Sequence, residues 1–357
     1  MKRVLIFTFL MLLAAQPLWG ARAKIETISQ DPYISALLID ADTGKILLDE
    51  NSTAKAYPAS VLKLMVLKVI LDRIEAGSLA LDEMVQVTRE ASRMGGSQVY
   101  LDPKEQFPVE DLLYALIVQS ANDAAVALAV HVAGSKDAFV ALMNEKAAAL
   151  GMNDTTFYSV HGLPPSEGQK PDITTARDLA ILARELSKNP DVFKYTGARE
   201  RDFRNGEFIM RTHNKLLATV DGCDGFKTGY FKAAGFSIVA TARRGGVRII
   251  AVVLGSLDRK VRDAKAAELI AVGFTKVKPG PEAAVPKENA ETVVQPQVQQ
   301  AVSEQSLEEA QQEEQQQSSH LGRDLMMLAI GFGAGLLACL LFSLLRPSRR
   351  GGRRRLM

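Results

Sequence analysis

The stretch SIVATARRGGVRIIAVVL, residues 237–254, decides the fold expected for this chain. Two apolar runs of strand length flank Gly245-Gly246, a dipeptide that favours the tight turn of a β-hairpin. A second hairpin pattern lies in SALLIDADTGKILL, residues 35–48, where a turn at Ala41–Gly44 separates two apolar segments. Because the two hairpins bracket everything between them, the sequence predicts one antiparallel sheet formed from N- and C-terminal strands.

Helical patterns fill the interval between the hairpins and follow the second one. Apolar residues recur there at spacings of three and four, and Gly or polar residues stand where the pattern stops. The predicted helices are Ser60–Gly77, Val109–Val118, Asp123–Ala133, Ile173–Ser187 and Leu257–Val272, and Thr174 or Thr175 is expected to cap the fourth. The predicted fold class is therefore α+β, an antiparallel sheet flanked by helices and carrying an inserted helical lobe.

Composition and charge exclude several classes of protein. The chain has 357 residues, of which 47% are apolar and 24% charged, so it can bury a real core and is not a disordered protein. The net charge of +2 is unevenly distributed along the chain, since residues 24–276 carry a net charge of only −1. A near-neutral main domain lacks the basic surface that nucleic acid requires, and no nucleic-acid partner is expected. Two cysteines, Cys223 and Cys339, are too few for a disulfide framework.

The first 23 residues have the pattern of a secretory signal peptide. Lys2-Arg3 forms a basic start, Val4–Ala15 is almost purely apolar, and Ala21-Arg22-Ala23 has the small-x-small form of a cleavage site. Twelve apolar residues are too few to span a bilayer as a helix. We therefore expect a mature chain that begins near Lys24, outside the cytoplasmic membrane. An uncleaved anchor is the less favoured alternative.

The segment Leu325–Leu345 predicts a transmembrane helix. It contains no charged residue over 21 positions, and at about 1.5 Å per residue it matches the thickness of the hydrocarbon core. Six arginines follow within 346–357, whereas the preceding linker is acidic, so the tail is expected in the cytoplasm. The pattern Gly331-x-x-x-Gly335 allows two such helices to approach closely, and a homodimer through the membrane helix is an open alternative to a monomer.

Between the main domain and this helix, the sequence is rich in Gln, Glu, Pro and Ser and lacks an apolar period. Such a composition is typical of a flexible tether. The predicted order is a signal peptide at 1–23, a main domain at 24–276, a linker at 277–324, a membrane helix at 325–345 and a cytoplasmic tail at 346–357.

Ser60-Val61-Leu62-Lys63 is the first candidate for chemistry in the main domain. At the start of a helix the serine lies near free backbone N–H groups, and the lysine follows one turn later on the same face. A desolvated lysine loses its proton near neutral pH and can deprotonate the serine. Alone, the pattern is weak, and Ser60 as a helix cap with Lys63 as a surface charge is then the favoured interpretation. Ser52-Thr53-Ala54-Lys55 repeats it in a polar turn.

Two further short motifs strengthen that candidate. Ser120-Ala121-Asn122 falls in a break between two helices, where a loop can direct a hydroxyl and an amide into a cleft, although Asn122 alone is also a common helix cap. Lys227-Thr228-Gly229 precedes the terminal hairpin, so an ammonium, a hydroxyl and an open backbone are expected along a strand edge. We interpret the glycine as leaving room for a substrate backbone.

Other catalytic chemistries have little support in the sequence. The four histidines, among them His161 and His213, lack metal-ligand spacing, and no acidic cluster accompanies them. The Gly-rich phosphate loop and the nucleophile elbow of histidine-based serine hydrolases are missing from the main domain. No metal and no cofactor are therefore expected.

The combination of Ser-x-x-Lys, Ser-x-Asn and Lys-Thr-Gly, in this order, resembles that of β-lactamases and penicillin-binding proteins. Together with Gln119–Ala125, His161-Gly162-Leu163 and Asp224–Gly229, it is similar to the low-molecular-mass penicillin-binding proteins of the D-alanyl-D-alanine carboxypeptidase family, peptidase family S11. The similarity covers about residues 25–276 and implies the D,D-peptidase/β-lactamase-like fold.

The resemblance implies an acyl-enzyme mechanism with Ser60 as nucleophile and Lys63 as general base. Ser120 and Asn122 would relay protons and hold the substrate amide. The implied substrate is a bacterial peptidoglycan stem peptide that ends in D-Ala-D-Ala, the terminal D-Ala being the leaving group. β-Lactams would acylate the same serine as inhibitors.

The resemblance also implies a substrate-binding strand. Lys227 would supply positive potential, Thr228 would bind the terminal carboxylate beside Gly229, and the backbone N–H groups of Ser60 and Tyr230 would form the oxyanion hole. Tyr230 stands where family members often have histidine, and a backbone donor tolerates this change. Arg262 matches an arginine that assists carboxylate recognition, and His161 matches a loop beside the site.

Three other functions are alternatives to the carboxypeptidase, and the C-terminal region differs from that of many family members. A class A β-lactamase is disfavoured because residues 154–163 contain no glutamate for deacylation. A D,D-endopeptidase that cleaves cross-links uses the same residues, and an inactive cell-wall-binding scaffold is the non-enzymatic alternative. Residues 277–320 are too polar and short for the β-rich second domain of many members, so the expected anchor is a single-pass helix in the bacterial cytoplasmic membrane.

Overall fold

The structure is a computed structural model that describes residues 25–278. The expected signal peptide, nearly all of the linker, the expected membrane helix and the arginine-rich tail lie outside the described residues. Within residues 25–278 no single helix combines the length and apolar content needed to cross a bilayer. Helices Asn122–Ala133 and Lys136–Leu150 reach those values only as a pair, and they are bent by 85° at the break between them.

One antiparallel sheet of five strands joins the two ends of the described chain, as the sequence predicts. The order across the sheet is β2-β1-β9-β8-β7, so an N-terminal hairpin lies against a C-terminal one. The strands are β1 (Ser35–Asp40), β2 (Ile46–Glu50), β7 (Cys223–Phe231), β8 (Gly235–Arg244) and β9 (Val247–Ser256). Two small hairpins lie outside this sheet: β3 (Met84–Gln86) with β4 (Gln106–Pro108), and β5 (Glu200–Phe203) with β6 (Phe208–Arg211).

The predicted turn at Gly245-Gly246 is confirmed, with φ angles of 52° and 83° that favour glycine. Strand β9, in the centre of the sheet, is buried along its whole length. Val252 and Leu254 face the helical lobe, whereas Ala251 and Val253 face the last helix. Burial on both faces explains why this strand is a continuous apolar run and does not alternate.

Nine helices and one short 3-10 helix (Ala59–Leu62) are present in the described part of the chain. The α-helices are α1 (Lys63–Glu75), α2 (Arg89–Ser92), α3 (Val109–Ile117), α4 (Asn122–Ala133), α5 (Lys136–Leu150), α6 (Ala176–Leu186), α7 (Val192–Thr196), α8 (Leu216–Thr219) and α9 (Arg259–Lys276). Helices α1 to α6 lie between the two terminal hairpins in the chain and form the inserted lobe, whereas α9 packs on the opposite face of the sheet.

Some predicted helix boundaries were wrong, including the end of the last helix, which lies at Lys276 and not at Val272. The helix predicted at Ile173–Ser187 begins at Ala176, and Thr175 is its N-cap as expected, with its hydroxyl accepting from Asp178 N at 3.1 Å. Ile173 lies outside the helix because its backbone pairs with Thr156. The helix predicted from Leu257 begins at Arg259, where the Asp258 carboxylate caps the first turn. Hairpin β5–β6 was not predicted, and its turn contains Asn205 and Gly206 at positive φ.

Candidate active site

The nucleophile candidate Ser60 lies on the 3-10 turn that leads into α1. Ala59, directly before it, has a φ of +46°, a left-handed conformation that is strained for a residue with a Cβ. Lys63 follows as the first residue of α1, so the hydroxyl and the amine lie one turn apart on the same side. The local geometry expected from the sequence is therefore present, with a tighter helical turn at its start.

Lys63 makes three polar contacts although its side chain is wholly buried. Its Nζ lies 3.2 Å from Ser60 Oγ, 2.8 Å from Asn122 Oδ1 and 2.7 Å from the His161 carbonyl oxygen. A charged ammonium donates to all three oxygens. A neutral amine donates its two protons to the amide and carbonyl oxygens, and its lone pair is then directed at the Ser60 hydroxyl. This is the geometry of a general base.

The surroundings of Lys63 favour the neutral form of its amine. Burial lowers its pKa well below the ordinary lysine value, and the positive charge of Lys227 lowers it further. The carboxylates of Asp123 and Asp172 act in the opposite direction. The largest of these effects is the loss of water around the buried amine, so the pKa of Lys63 is lowered overall.

The break between α3 and α4 presents Ser120 and Asn122, as predicted. Ser120 has a φ of +60° and its side chain lines the cleft. The cap of α4 is Ala121 without a side-chain bond, so the alternative of Asn122 as a capping residue is wrong. Asn122 instead accepts from Lys63 and donates from Nδ2 to the Gly95 carbonyl at 2.7 Å, which fixes its amide orientation between two elements.

Lys227, Thr228 and Gly229 lie on β7, one of the two edge strands of the sheet. Thr228 lines the cleft, and Lys227 is 3% exposed with its Nζ donating to the Thr228 carbonyl at 3.1 Å. The interpretation of Gly229 as room for substrate was incomplete. A Cβ there would lie 2.7 Å from the Pro58 carbonyl oxygen and 3.0 Å from Ser60 N, so the missing side chain lets β7 approach the nucleophile's own turn.

Three motifs from distant parts of the chain thus converge on one cleft of about 510 Å³. The match to known proteins agrees with this arrangement, since a family model described as D-alanyl-D-alanine carboxypeptidase matches residues 24–257. The chain belongs to the D-alanyl-D-alanine carboxypeptidase family.

Curated and solved relatives of this carboxypeptidase family are similar over the described domain. DacF of Bacillus subtilis is 36% identical over 250 residues, which are 69% of this chain and 63% of the relative. DacC of Escherichia coli is 36% identical over 270 residues, 73% of this chain and 66% of the relative. Penicillin-binding protein D2 from Listeria monocytogenes, in its ampicillin-bound form, is 31% identical with a TM-score of 0.62 and covers 68% of this chain and 97% of its own. The chain spans slightly less than two thirds of the length of the two curated relatives.

One end of the cleft in this family member is rich in cationic groups. Burial and the neighbouring Arg262 lower the pKa of Lys227 to about 7. Arg262 is 2% exposed, donates to Asp263 Oδ1 from Nε at 2.9 Å and to the Ser237 carbonyl from Nη1 at 3.3 Å. The exposed Arg259 lies on the same wall. Such an end is suited to an anionic group.

Tyr230 is half exposed at the rim of that end. Its ring stacks on Phe236 with centroids 4.1 Å apart, and the Arg262 guanidinium lies 6.0 Å from the Phe236 centroid. Because Gly229 lies against Ser60 N, the backbone of Tyr230 follows directly beside the nucleophile. The structure therefore places Tyr230 and Arg262 at the cleft, where the sequence comparison expected them.

Several residues that line or support the cleft were not selected from the sequence. Thr212, His213 and Lys215 follow hairpin β5–β6 and form a wall of the cleft. Burial, together with Lys227 and other cations, lowers the pKa of His213 to about 4, so its ring is neutral at physiological pH. The Asn205-Gly206 turn is the signal that could have revealed this hairpin. The buried Asp172 was also missed.

Two residues considered from the sequence lie apart from the cleft chemistry. Ser52 donates from its hydroxyl to Asp49 Oδ2 at 2.7 Å in a turn, and Lys55 is exposed, so the second Ser-x-x-Lys is not assembled as a site. Cys223 packs with the core under α9, where burial raises the pKa of its thiol to about 11. Across residues 25–278, no three His, Cys, Asp or Glu side chains are grouped as metal ligands.

Proposed function

We propose that this chain is a serine-type D-Ala-D-Ala carboxypeptidase that removes the terminal D-alanine from peptidoglycan stem peptides. The observation that carries the proposal is the contact of Lys63 Nζ with Ser60 Oγ, Asn122 Oδ1 and the His161 carbonyl inside a cleft with a cationic end. Family membership and the names of the curated relatives support it.

Acylation begins with neutral Lys63, which takes the proton of the Ser60 hydroxyl. Ser60 Oγ then attacks the carbonyl carbon of the penultimate D-Ala, and the oxyanion accepts hydrogen bonds from the backbone N–H groups of Ser60 and Tyr230. The proton passes to the leaving nitrogen, with Ser120 in the cleft as the relay. The bond to the terminal D-Ala breaks, and an ester on Ser60 remains.

The cationic end selects substrates with a free terminal carboxylate. The Thr228 hydroxyl donates to this carboxylate, and Lys227 and Arg262 supply positive potential at this end of the cleft. The Asn122 amide and the backbone of β7 hold the acyl part of the peptide.

Deacylation uses the same base in the second half of the cycle. Water attacks the ester carbonyl, Lys63 accepts its proton, and Ser60 regains its hydroxyl as the shortened peptide leaves. β-Lactams, which mimic the acyl-D-Ala-D-Ala end, are proposed to acylate Ser60 in the same way. The similarity to the Listeria monocytogenes protein in its ampicillin-bound form supports this partner.

Release of D-alanine from a synthetic peptide ending in D-Ala-D-Ala tests the proposal. We expect steady turnover by the wild type and none by Ser60→Ala, which retains the cleft but lacks the nucleophile. Cross-linked muropeptides, assayed in parallel, distinguish carboxypeptidase from endopeptidase activity. A wild-type protein that binds peptidoglycan but releases no D-alanine would contradict the proposal and favour the scaffold alternative.

We also propose that the protein is exported and held in the bacterial cytoplasmic membrane by residues 325–345, with the catalytic domain outside. The apolar length of that segment and the arginines after it support this topology. Full-length protein should sediment with membranes, and a chain truncated after residue 324 should not. Cross-linking through Cys339 in membranes tests the pairing of two copies along Gly331 and Gly335, and a strictly monomeric band would contradict that pairing.

A further inference from the structure

The carbonyl that accepts from Lys63 belongs to a tight turn, Ser159–Gly162, on the helical side of the cleft. Gly162 has a φ of +74°, and a Cβ there would lie 2.1 Å from the Ala59 carbonyl oxygen, so this turn packs directly on the nucleophile's turn. Within the turn, Gly162 N donates to Ser159 Oγ at 2.9 Å. The position of the His161 carbonyl therefore depends on how Ser159 is held.

Ser159 is held by a single buried carboxylate, that of Asp172. Oδ1 of Asp172 accepts from Tyr158 N at 2.6 Å and from Ser159 N at 2.9 Å, and Oδ2 accepts from Ser159 Oγ at 2.7 Å. Asp172 is itself fixed by its neighbour Ile173, whose backbone exchanges two hydrogen bonds with Thr156. A continuous set of bonds thus runs from Asp172 through Ser159 to the turn that contacts Lys63.

We propose that Asp172 is a positioning residue for the general base: its carboxylate holds the Ser159–Gly162 turn that supports Lys63, and its negative charge sets how readily Lys63 gives up its proton. The inference rests on the proposed acyl-enzyme function. Asp172 does not touch the reacting atoms, because both of its oxygens are bonded to Tyr158 and Ser159. It is therefore not a substitute for the deacylating glutamate of class A β-lactamases.

The charges around Lys63 come from three elements besides its own. Lys227 on β7 lowers its pKa, whereas Asp123 on α4 and Asp172 raise it. His213 lies in the cleft wall after β6. The positive charge of Lys63 contributes to lowering the pKa of this histidine, which is neutral near pH 7. Burial raises the pKa of Asp172 to about 6, while its hydrogen bonds and Lys63 lower it, so above that pH the carboxylate is ionised.

The consequence is a limit on how far burial lowers the Lys63 pKa. A base whose pKa falls far below the working pH is unprotonated but weak, and the best general base has a pKa near that pH. The negative charge of Asp172 keeps Lys63 stronger than its burial beside Lys227 alone would allow. Removing the charge of Asp172 while keeping its shape should give a Lys63 amine that is unprotonated at lower pH but is a weaker base.

Asp172→Asn, Ser159→Ala and the matched control Asp178→Asn separate charge, position and stability. Asp178 is also buried, accepts from Asp154 N at 3.0 Å and Thr155 Oγ1 at 2.7 Å, and is not among the charges that act on Lys63. The rate constant for acylation by benzylpenicillin is measured from pH 5 to 10 for each. For Asp172→Asn we expect the acid limb to move down by about one pH unit, with a lower plateau.

The two other variants have different expected profiles. Ser159→Ala keeps the charge but loosens the turn, so its plateau should fall about tenfold with the acid limb unmoved. Asp178→Asn should lose thermal stability and keep the wild-type profile. An acid limb of Asp172→Asn that coincides with that of the wild type, with stability lost as in Asp178→Asn, would overturn the inference and leave Asp172 a structural residue.

A second readout does not depend on turnover. The titration of Lys63 is followed by ¹³Cε NMR in lysine-labelled protein, with the signal assigned by Lys63→Arg. The Lys63 midpoint should be lower in Asp172→Asn than in the wild type, and equal midpoints would refute the electrostatic role. If benzylpenicillin fails to acylate the wild type, the proposed function fails, whereas the NMR comparison still decides the role of Asp172.

Discussion

The two ends of the cleft are built on different principles. At the nucleophile end, the amine of Lys63 has three oxygen partners within 3.2 Å, and the surrounding turns pack closely against each other. At the cationic end, Lys227 and Arg262 are buried beside each other, and within residues 25–278 no carboxylate bonds to Lys227. The polar groups of the first end are paired within the protein, whereas at the second end Asp263 pairs with Arg262 and leaves Lys227 without a paired carboxylate among residues 25–278.

This difference indicates how the work of catalysis is divided. A satisfied and rigid network fixes the reacting atoms before substrate arrives, which removes much of the cost of alignment. Lys227 is buried beside Arg262, and of these two cations only Arg262 bonds to a carboxylate, so an incoming carboxylate relieves the repulsion on Lys227. The nucleophile end should therefore control the rate of acylation, and the cationic end should control the choice of substrate.

The largest effect is expected at the nucleophile end. Lys63→Met removes the base while keeping the apolar stem, and acylation by benzylpenicillin should slow by about 10³-fold or more, since general base catalysis contributes up to about 10⁴-fold. Lys55→Met, in the exposed second Ser-x-x-Lys, is the matched control and should behave as the wild type. Equal losses in both variants would mean that the two lysines are not functionally different.

Lys227→Met breaks the cationic end. We expect kcat/KM for a peptide with a free terminal carboxylate to fall about 100-fold, since a hydrogen bond or ion pair to a charged group contributes about 1.5–3 kcal/mol. The same peptide with an amidated end should lose much less. Lys232→Met, an exposed lysine just beyond β7, is the control. A uniform loss with both peptides would show that Lys227 does not select for the carboxylate.

The pH dependence of kcat/KM reports on both ends of the cleft. Lys63 must be neutral and Lys227 charged, so kcat/KM should rise with pH as Lys63 deprotonates and fall above about pH 7 as Lys227 deprotonates. Because the amines of Lys63 and Lys227 interact, the apparent pKa values of the two limbs belong to the pair and not to either residue alone. A bound carboxylate raises the pKa of Lys227, so the falling limb of kcat should lie at higher pH. Identical limbs in kcat and kcat/KM would argue against charge relief.

Gly229→Ala tests the contact that joins β7 to the nucleophile's turn. The added Cβ would lie 2.7 Å from the Pro58 carbonyl oxygen, which is backbone and cannot swing away. Overpacking of this kind costs about 1–3 kcal/mol and lowers the Tm by several degrees. We expect acylation to slow about tenfold. An unchanged Tm together with unchanged acylation would mean that the strand and the turn are not in tight contact.

The smallest effect is expected for Tyr230→His. The proposed donor at this position is the backbone N–H, which every residue except proline supplies, so acylation should change by no more than about twofold. A loss above tenfold would assign a chemical role to the tyrosine ring.

Much of the fold was predictable because its signals are local. A single stretch of sequence contains strand β8, the Gly245-Gly246 turn and strand β9. The three motifs of the site have recognisable residue types. Hairpin β5–β6 was harder to predict, because three of the four residues of Glu200–Phe203 are exposed and the strand shows no apolar alternation. Its turn was the available signal.

Parts of the site could not be read from residue types at all. The His161 carbonyl is a backbone acceptor, and any residue at that position has one. Asp172 acts on Lys63 from 109 positions along the chain, and only the folded turn brings its charge near. The packing role of Gly229 was missed for the same reason, since the atom closest to an added Cβ belongs to Pro58.

Mass spectrometry of the protein after treatment with benzylpenicillin tests the central claim most directly. The convergence of Ser60, Lys63, Asn122 and β7 predicts one adduct with the mass of the opened antibiotic on the peptide that contains Ser60. Ser60→Ala should carry none, and Lys63→Met should acquire it far more slowly. An unmodified wild-type protein, or an adduct that persists in Ser60→Ala, would contradict the account.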